Sequence, residues 1–92
     1  MGLFSDLTNS VKQGIQNMQE YQNEAQAMDV YELCARIKHT NGTKLMAYSH
    51  VLRLKLKNEL SERELRDLGN DMKSQRNYNA CLAIKTALEE YE

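Results

Sequence analysis

Proline is missing from the 92 residues altogether. Its ring is the strongest interruption a helix can meet, so helical runs here are checked only by a few polar turns. Glycine stands singly at positions 2, 14, 42 and 69, which excludes the glycine-rich loop that cradles phosphates. Cysteine is limited to Cys34 and Cys81. With no charged-then-apolar leader ahead of them, two thiols this far apart read as reduced, buried small hydrophobes in a cytoplasmic chain, not as a disulfide framework. No apolar run approaches the ~20 residues that span a bilayer. The opening Met1-Gly2-Leu3-Phe4-Ser5-Asp6 places an acid where a myristoylation signal has Ser or Thr.

Large apolar side chains are also few. Leu, Ile, Val and Phe number 19, close to the level at which chains stay disordered. Disorder also calls for high net charge, and the formal charge is −1. A folded single domain over residues 1–92 is therefore expected, with 1–5 frayed and the thin stability of a small chain.

What is abundant is helical periodicity. Phe4, Leu7, Val11, Ile15, Met18, Tyr21, Ala25 and Met28 recur at steps of three and four. That spacing is a single narrow stripe on one helix, nearer to a coiled-coil seam than to a broad core face. Ser5 or Asp6 can cap this helix, and Gly14 weakens it midway. A second helix starts at Asp29, with Glu32 three residues on as a capping box. It carries Val30, Leu33, Cys34 and Ile37 and ends at Asn41-Gly42, where Gly suits the left-handed C′ position. Thr43 is expected to cap a third helix. Ser61-Glu62-Arg63-Glu64 is the clearest start signal: Ser61 and Glu64 satisfy two backbone donors reciprocally, and Leu60 and Leu65 staple across them. The fourth helix has the thin edge Leu65, Leu68 and Met72. A turn at 73–77 leads to a fifth helix lined by Tyr78, Cys81, Ile84, Leu88 and Tyr91.

The run Leu52-Arg53-Leu54-Lys55-Leu56-Lys57 alternates with period two, which is a strand pattern. No second alternating run exists to pair with it, and a lone strand cannot satisfy its backbone. Helix is the expected state. The fold class is thus all-α: a compact bundle of about five helices at approximately 6–27, 30–40, 44–59, 62–74 and 77–91.

Chemistry is hard to find in this pattern. His39 and His50 are eleven apart and Cys34 is five before His39, spacings that match no structural zinc site and no His-Glu-x-x-His helix. The two histidines are expected at solvent-facing helix ends. A Cys34–histidine pair has no supporting signature, and Cys34 falls on the apolar face of its helix, where burial raises its pKa and silences it. Glu89 and Glu90 lie on a solvated last turn. The expectation is a non-enzyme with no catalytic residues, no cofactor and no metal.

Charge is distributed unevenly. Arg36, Lys38, Lys44, Arg53, Lys55 and Lys57 fall between residues 34 and 57 with no acid among them, giving +6 against −4 before and −3 after. A basic stripe is the footprint of an anion or nucleic-acid binder, and helix, Asn41-Gly42-Thr43, helix superficially resembles a helix-turn-helix. Against this, the second helix of that pair is largely apolar and offers few side chains to read bases. Pairing of these bases with the acidic helices is the simpler expectation.

The functional expectation comes from helix three. Leu45, Tyr48, Leu52, Leu56 and Leu60 form one broad face, and Ala47, Val51 and Leu54 a second stripe roughly opposite. Two apolar faces mark a central helix or an interface helix. The sequence is read as a small non-catalytic protein–protein interaction or regulatory protein. It is expected to self-associate as an isologous homodimer through Ala47, Val51 and Leu54, with Leu7, Val11 and Met18 of the first helix contributing. The alternative is a nucleic-acid-binding regulator using the basic segment 36–57.

Overall fold

The computed structural model describes residues 17–91. Among them every regular element is helical, as the periodicity implies. Helix α1 covers residues 17–26. It is followed by α2 (Val30–Ile37), α3 (Gly42–Glu59), α4 (Glu62–Ser74) and α5 (Tyr78–Leu88), with a 3₁₀ turn at Glu89–Tyr91. The alternating run 52–57 is helix throughout. Ser5, Asp6, Gly14 and the first half of the apolar stripe, including the interface candidates Leu7 and Val11, lie outside the described residues.

Local signals set most of the boundaries. Asp29 Oδ1 accepts from the Glu32 amide at 2.8 Å. The reciprocal half of that capping box is absent, because the Glu32 carboxylate turns to Arg36 at 3.5 Å. Ser61 and Glu64 form the complete box, at 3.2 and 3.1 Å. The α2–α3 connection differs from expectation. Helix α2 stops at Ile37, and Lys38 and His39 form a turn in which Thr40 Oγ1 donates to the Arg36 carbonyl at 2.6 Å. Asn41 is the N-cap of α3 and Thr43 lies inside its first turn, so Thr43 caps nothing. Gly42 has φ +64, a left-handed conformation at the entrance of α3 instead of the exit of α2. At the α4–α5 junction, Lys73 and Ser74 are still helical and the reversal is made by Gln75 and Arg76, the latter at φ 57.

The core is one cluster drawn from all five helices: Ala25, then Leu33, Cys34 and Ile37, then Tyr48, Leu52 and Leu56, then Leu65, Leu68 and Met72, then Ala80 and Ile84. Helix α3 sits at its centre. Helices α2 and α5 pack against it, and α1 is tied to it by the Tyr48–Glu24 hydrogen bond. This central position corrects the interface expectation. Ala47 and Val51 are 0% and 1% exposed, because neighbours within the chain cover both stripes of the helix. Only Leu54 of that set reaches solvent, at 44%.

Helix α5 presents a different face from the one its large side chains suggest. Ala80, Ala83, Ile84 and Ala87 are buried, Cys81 and Leu88 lie at the margin, and Tyr78 and Tyr91 are exposed. Helix α5 packs against α4, where a Cβ placed on Gly69 would stand 3.4 Å from the Ile84 side chain at Cγ2, in ordinary van der Waals contact.

Candidate functional site

The basic segment is the first feature to resolve, and the structure disperses it. Lys55 Nζ donates to the carbonyls of Gln26 and Met28 at 2.9 and 2.6 Å. It serves the carbonyl end of α1, where a cation is favoured by the helix dipole and by unpaired acceptors. Lys57 pairs with Glu90 at 2.5 Å, and Arg36 with Glu32 at 3.5 Å. Lys44 lies over two rings, 5.5 Å from the centroid of Tyr48 and 5.9 Å from that of Tyr21. Lys38 and Arg53 are the members of the segment with no side-chain hydrogen bond, ion pair or cation–π partner among the described residues. A run of six bases in sequence therefore does not become a single surface of six.

The thiols and imidazoles form no reactive constellation. Cys34 is fully buried, and burial, helped by the nearby Cys81 sulfur, pushes its pKa up to about 11. Both cysteines are free, and Cys81 is only partly covered, unlike the fully buried thiol expected there. His39 is exposed in the turn after α2. His50 is exposed in the middle of α3, not at a helix end. No group of three or more potential metal ligands comes together among the described residues, and none of their helices is long and apolar enough to cross a membrane.

An apolar groove is the more distinctive feature. Met18 and Gln22 of α1 face Leu45, Met46, His50 and Arg53 of α3 across a cavity of about 430 Å³. A smaller cavity of about 100 Å³ continues from the shared wall of Leu45, Ser49 and Arg53 to Asn79, Leu82 and Ala83 of α5. Met46 and Leu82 are 64% and 66% exposed, with the half-buried Leu45 lining both cavities. Among the described residues, no acidic side chain lines either cavity. The described residues of the rim include the Arg53 guanidinium and the His50 imidazole. Met18 is the sequence-chosen interface residue that belongs to this groove. Leu54 lines a separate cleft beside Gln26, Lys55 and Glu59, so it does not join Met18 in one surface. Met46 and Leu82 stand off the apolar stripes of their helices, and only that misfit in the sequence pointed to them.

This groove suits an apolar helical stripe better than a small polar ligand. Its floor is methionine and leucine, side chains that adapt to a helix face, and its few polar groups do not converge on a point. A second cleft of about 460 Å³ at the entrance of α3 is lined by Tyr21, His39, Thr40, Gly42 and Lys44. Its described residues include neither paired carboxylates nor a cysteine beside a base. Compared with known proteins, the chain matches no family model, no curated protein and no solved structure.

Proposed function

We propose that the chain is a non-catalytic protein-binding module that accepts an amphipathic helix in the groove between α1, α3 and α5, with self-association as its first instance. The observation that carries this reading is the exposure of Met46 and Leu82 on one continuous surface with Leu45 and Met18. A domain with 19 large aliphatic or Phe side chains gains more by covering such groups than by leaving them in water, at about 25 cal/mol per Å². Contiguous exposed apolar surface is where small proteins meet partners. The free thiols support a reducing, cytoplasmic setting, and a module of this kind acts by regulating or assembling others.

The test is size-exclusion chromatography with light scattering at two salt concentrations. The expected result is a mass above that of the 10.7 kDa chain, nearly insensitive to salt because the contact is apolar. Met46→Asp with Leu82→Asp should return the chain to a monomer with unchanged far-UV circular dichroism. A wild-type chain that stays monomeric at every concentration contradicts self-association. Salt-sensitive binding of mixed duplex or single-stranded nucleic acid, abolished by Arg53→Gln with Lys38→Gln, would instead support the nucleic-acid reading.

A further inference from the structure

We propose that α1 is a strap that lifts from the bundle as a unit about residues 27–29 while α2 to α5 stay folded, uncovering its seat along α3.

The first argument is burial. Ala25 is the one side chain among the described residues of α1 that is fully buried, and it contributes only a methyl group. Met18, Tyr21 and Gln22 are half-buried, and the other described residues of the helix are exposed. Each of α2, α3, α4 and α5 buries at least three residues, with leucine or isoleucine among them. Apolar area removed from water sets what an element gains by docking. Elements that bury little apolar surface open separately from the rest.

The second argument is the kind of tie that holds the strap down. The Lys44 ammonium lies 5.9 Å from the centroid of the Tyr21 ring. The Tyr48 hydroxyl donates to Glu24 at 2.7 Å, and Lys55 Nζ donates to the carbonyls of Gln26 and Met28 at 2.9 and 2.6 Å. Lys44, Tyr48, Val51 and Lys55 recur at steps of four, three and four, which is one face of α3, and α1 runs along it in the same sense. Glu24 and Gln26 are already exposed, so water takes over these bonds when α1 lifts and the net value of each is modest.

The third argument is the independence of the remainder. Asp29 Oδ1 caps α2 by accepting from the Glu32 amide at 2.8 Å, so α2 begins without help from α1. Helix α2 packs on α3 and α5, and α5 packs on α3 and α4. Asn77 and Asn79 of α5 also donate to the Cys34 and Ile37 carbonyls of α2 at 2.6 and 2.8 Å. These contacts close four helices on one another without α1. What the strap covers is Tyr48 and Val51, each 1% exposed, the latter sharing a cleft with Gln26. Met18 and Gln22 are also a wall of the groove, so lifting α1 removes that wall. The lifting itself does not depend on what the groove receives.

The experiment is amide hydrogen exchange on the full chain, followed by nuclear magnetic resonance where reclosing outruns exchange. Amides of residues 22–26 are expected to share one opening equilibrium. They should exchange at least about a hundredfold faster than the slowest amides of α3 and α5, with little dependence on urea. Ser61→Ala weakens α4, which stays folded when the strap lifts. It should speed the slowest amides about fivefold and leave residues 22–26 unchanged. Lys55→Met keeps the alkyl stem but removes both bonds to the end of α1, and should speed residues 22–26 about tenfold. Tyr48→Phe should act in the same direction, and circular dichroism checks that each variant is folded. If residues 22–26 exchange as slowly as α3 and follow it in Ser61→Ala, α1 leaves only when the whole chain unfolds and the proposal is wrong. If they exchange fast but ignore both Lys55→Met and Tyr48→Phe, the helix frays in place and no strap lifts.

Discussion

The Tyr48 hydroxyl donates to Glu24 Oε2 at 2.7 Å, and that bond joins α1 to the helix at the centre of the bundle. The Tyr48 ring also meets Tyr21 edge to face at 6.4 Å, with the Lys44 ammonium over both. Tyr48→Phe keeps the rings and removes only the hydroxyl. Because Glu24 is exposed and water competes for its carboxylate, the loss should be about 1 kcal/mol. A urea unfolding midpoint identical to that of wild type would mean that the bond holds nothing in place.

Asn77 is the one buried polar side chain among the described core residues, at 0% exposure. Its Nδ2 donates to the Cys34 carbonyl at 2.6 Å, and its Oδ1 accepts from the Ala80 amide at 3.2 Å. One side chain thus caps α5 and satisfies a carbonyl of α2. Asn77→Ala removes the cap and orphans that carbonyl, costing about 2–4 kcal/mol. Thermal unfolding followed by circular dichroism should show the largest drop of any polar substitution proposed for this chain. A drop no larger than that of an exposed residue would contradict the role.

Ser61→Ala isolates a simpler effect. The complete capping box at α4 predicts a loss of about 1 kcal/mol, read from the denaturant midpoint. Coincident midpoints would show that the box contributes nothing in solution.

The two thiols should separate by reactivity and by pH. Burial raises Cys34 to about 11, so it should be silent to a thiol reagent at pH 8 while the partly exposed Cys81 reacts. Raising a folded-state pKa means that the neutral thiol is the form the fold favours. Its contribution is complete below the ordinary value near 9 and is lost as pH climbs from about 9 to about 11. Tyr48, pushed up to about 12 by burial and then by its bond to Glu24, extends the loss to higher pH. The urea midpoint should be level from pH 7 to 8.5 and fall above pH 9. A level midpoint at pH 10.5 would contradict the burial of both groups.

The sequence made α4 fully legible, because a capping box and three apolar positions leave one way to orient a short helix, and Leu65, Leu68 and Met72 are indeed buried. Helix α5 was legible in extent but not in face: alanines at 80, 83 and 87 carry little weight in a periodicity count, yet with Ile84 they are its buried face. The two stripes of α3 were visible, but stripes alone do not say whether a neighbour within the chain or another molecule covers them. Ala47 and Val51 went to the first and Leu54 to neither. Lys55 illustrates the limit for charge, since its partners are backbone carbonyls of α1 that no side-chain pattern could reveal. The groove was least legible, because it is assembled from Met18, Met46 and Leu82 on three helices.

Sedimentation equilibrium across a concentration series, on wild type, Leu82→Asp and Leu54→Asp, tests the central claim most directly. Both leucines are partly exposed, at 66% and 44%, so both variants should fold, but only Leu82 lines the α1–α3–α5 groove. The predicted result is a dimer for wild type and Leu54→Asp and a monomer for Leu82→Asp. A dimer that survives Leu82→Asp and dissociates with Leu54→Asp would contradict the account and place the contact on the opposite stripe of α3.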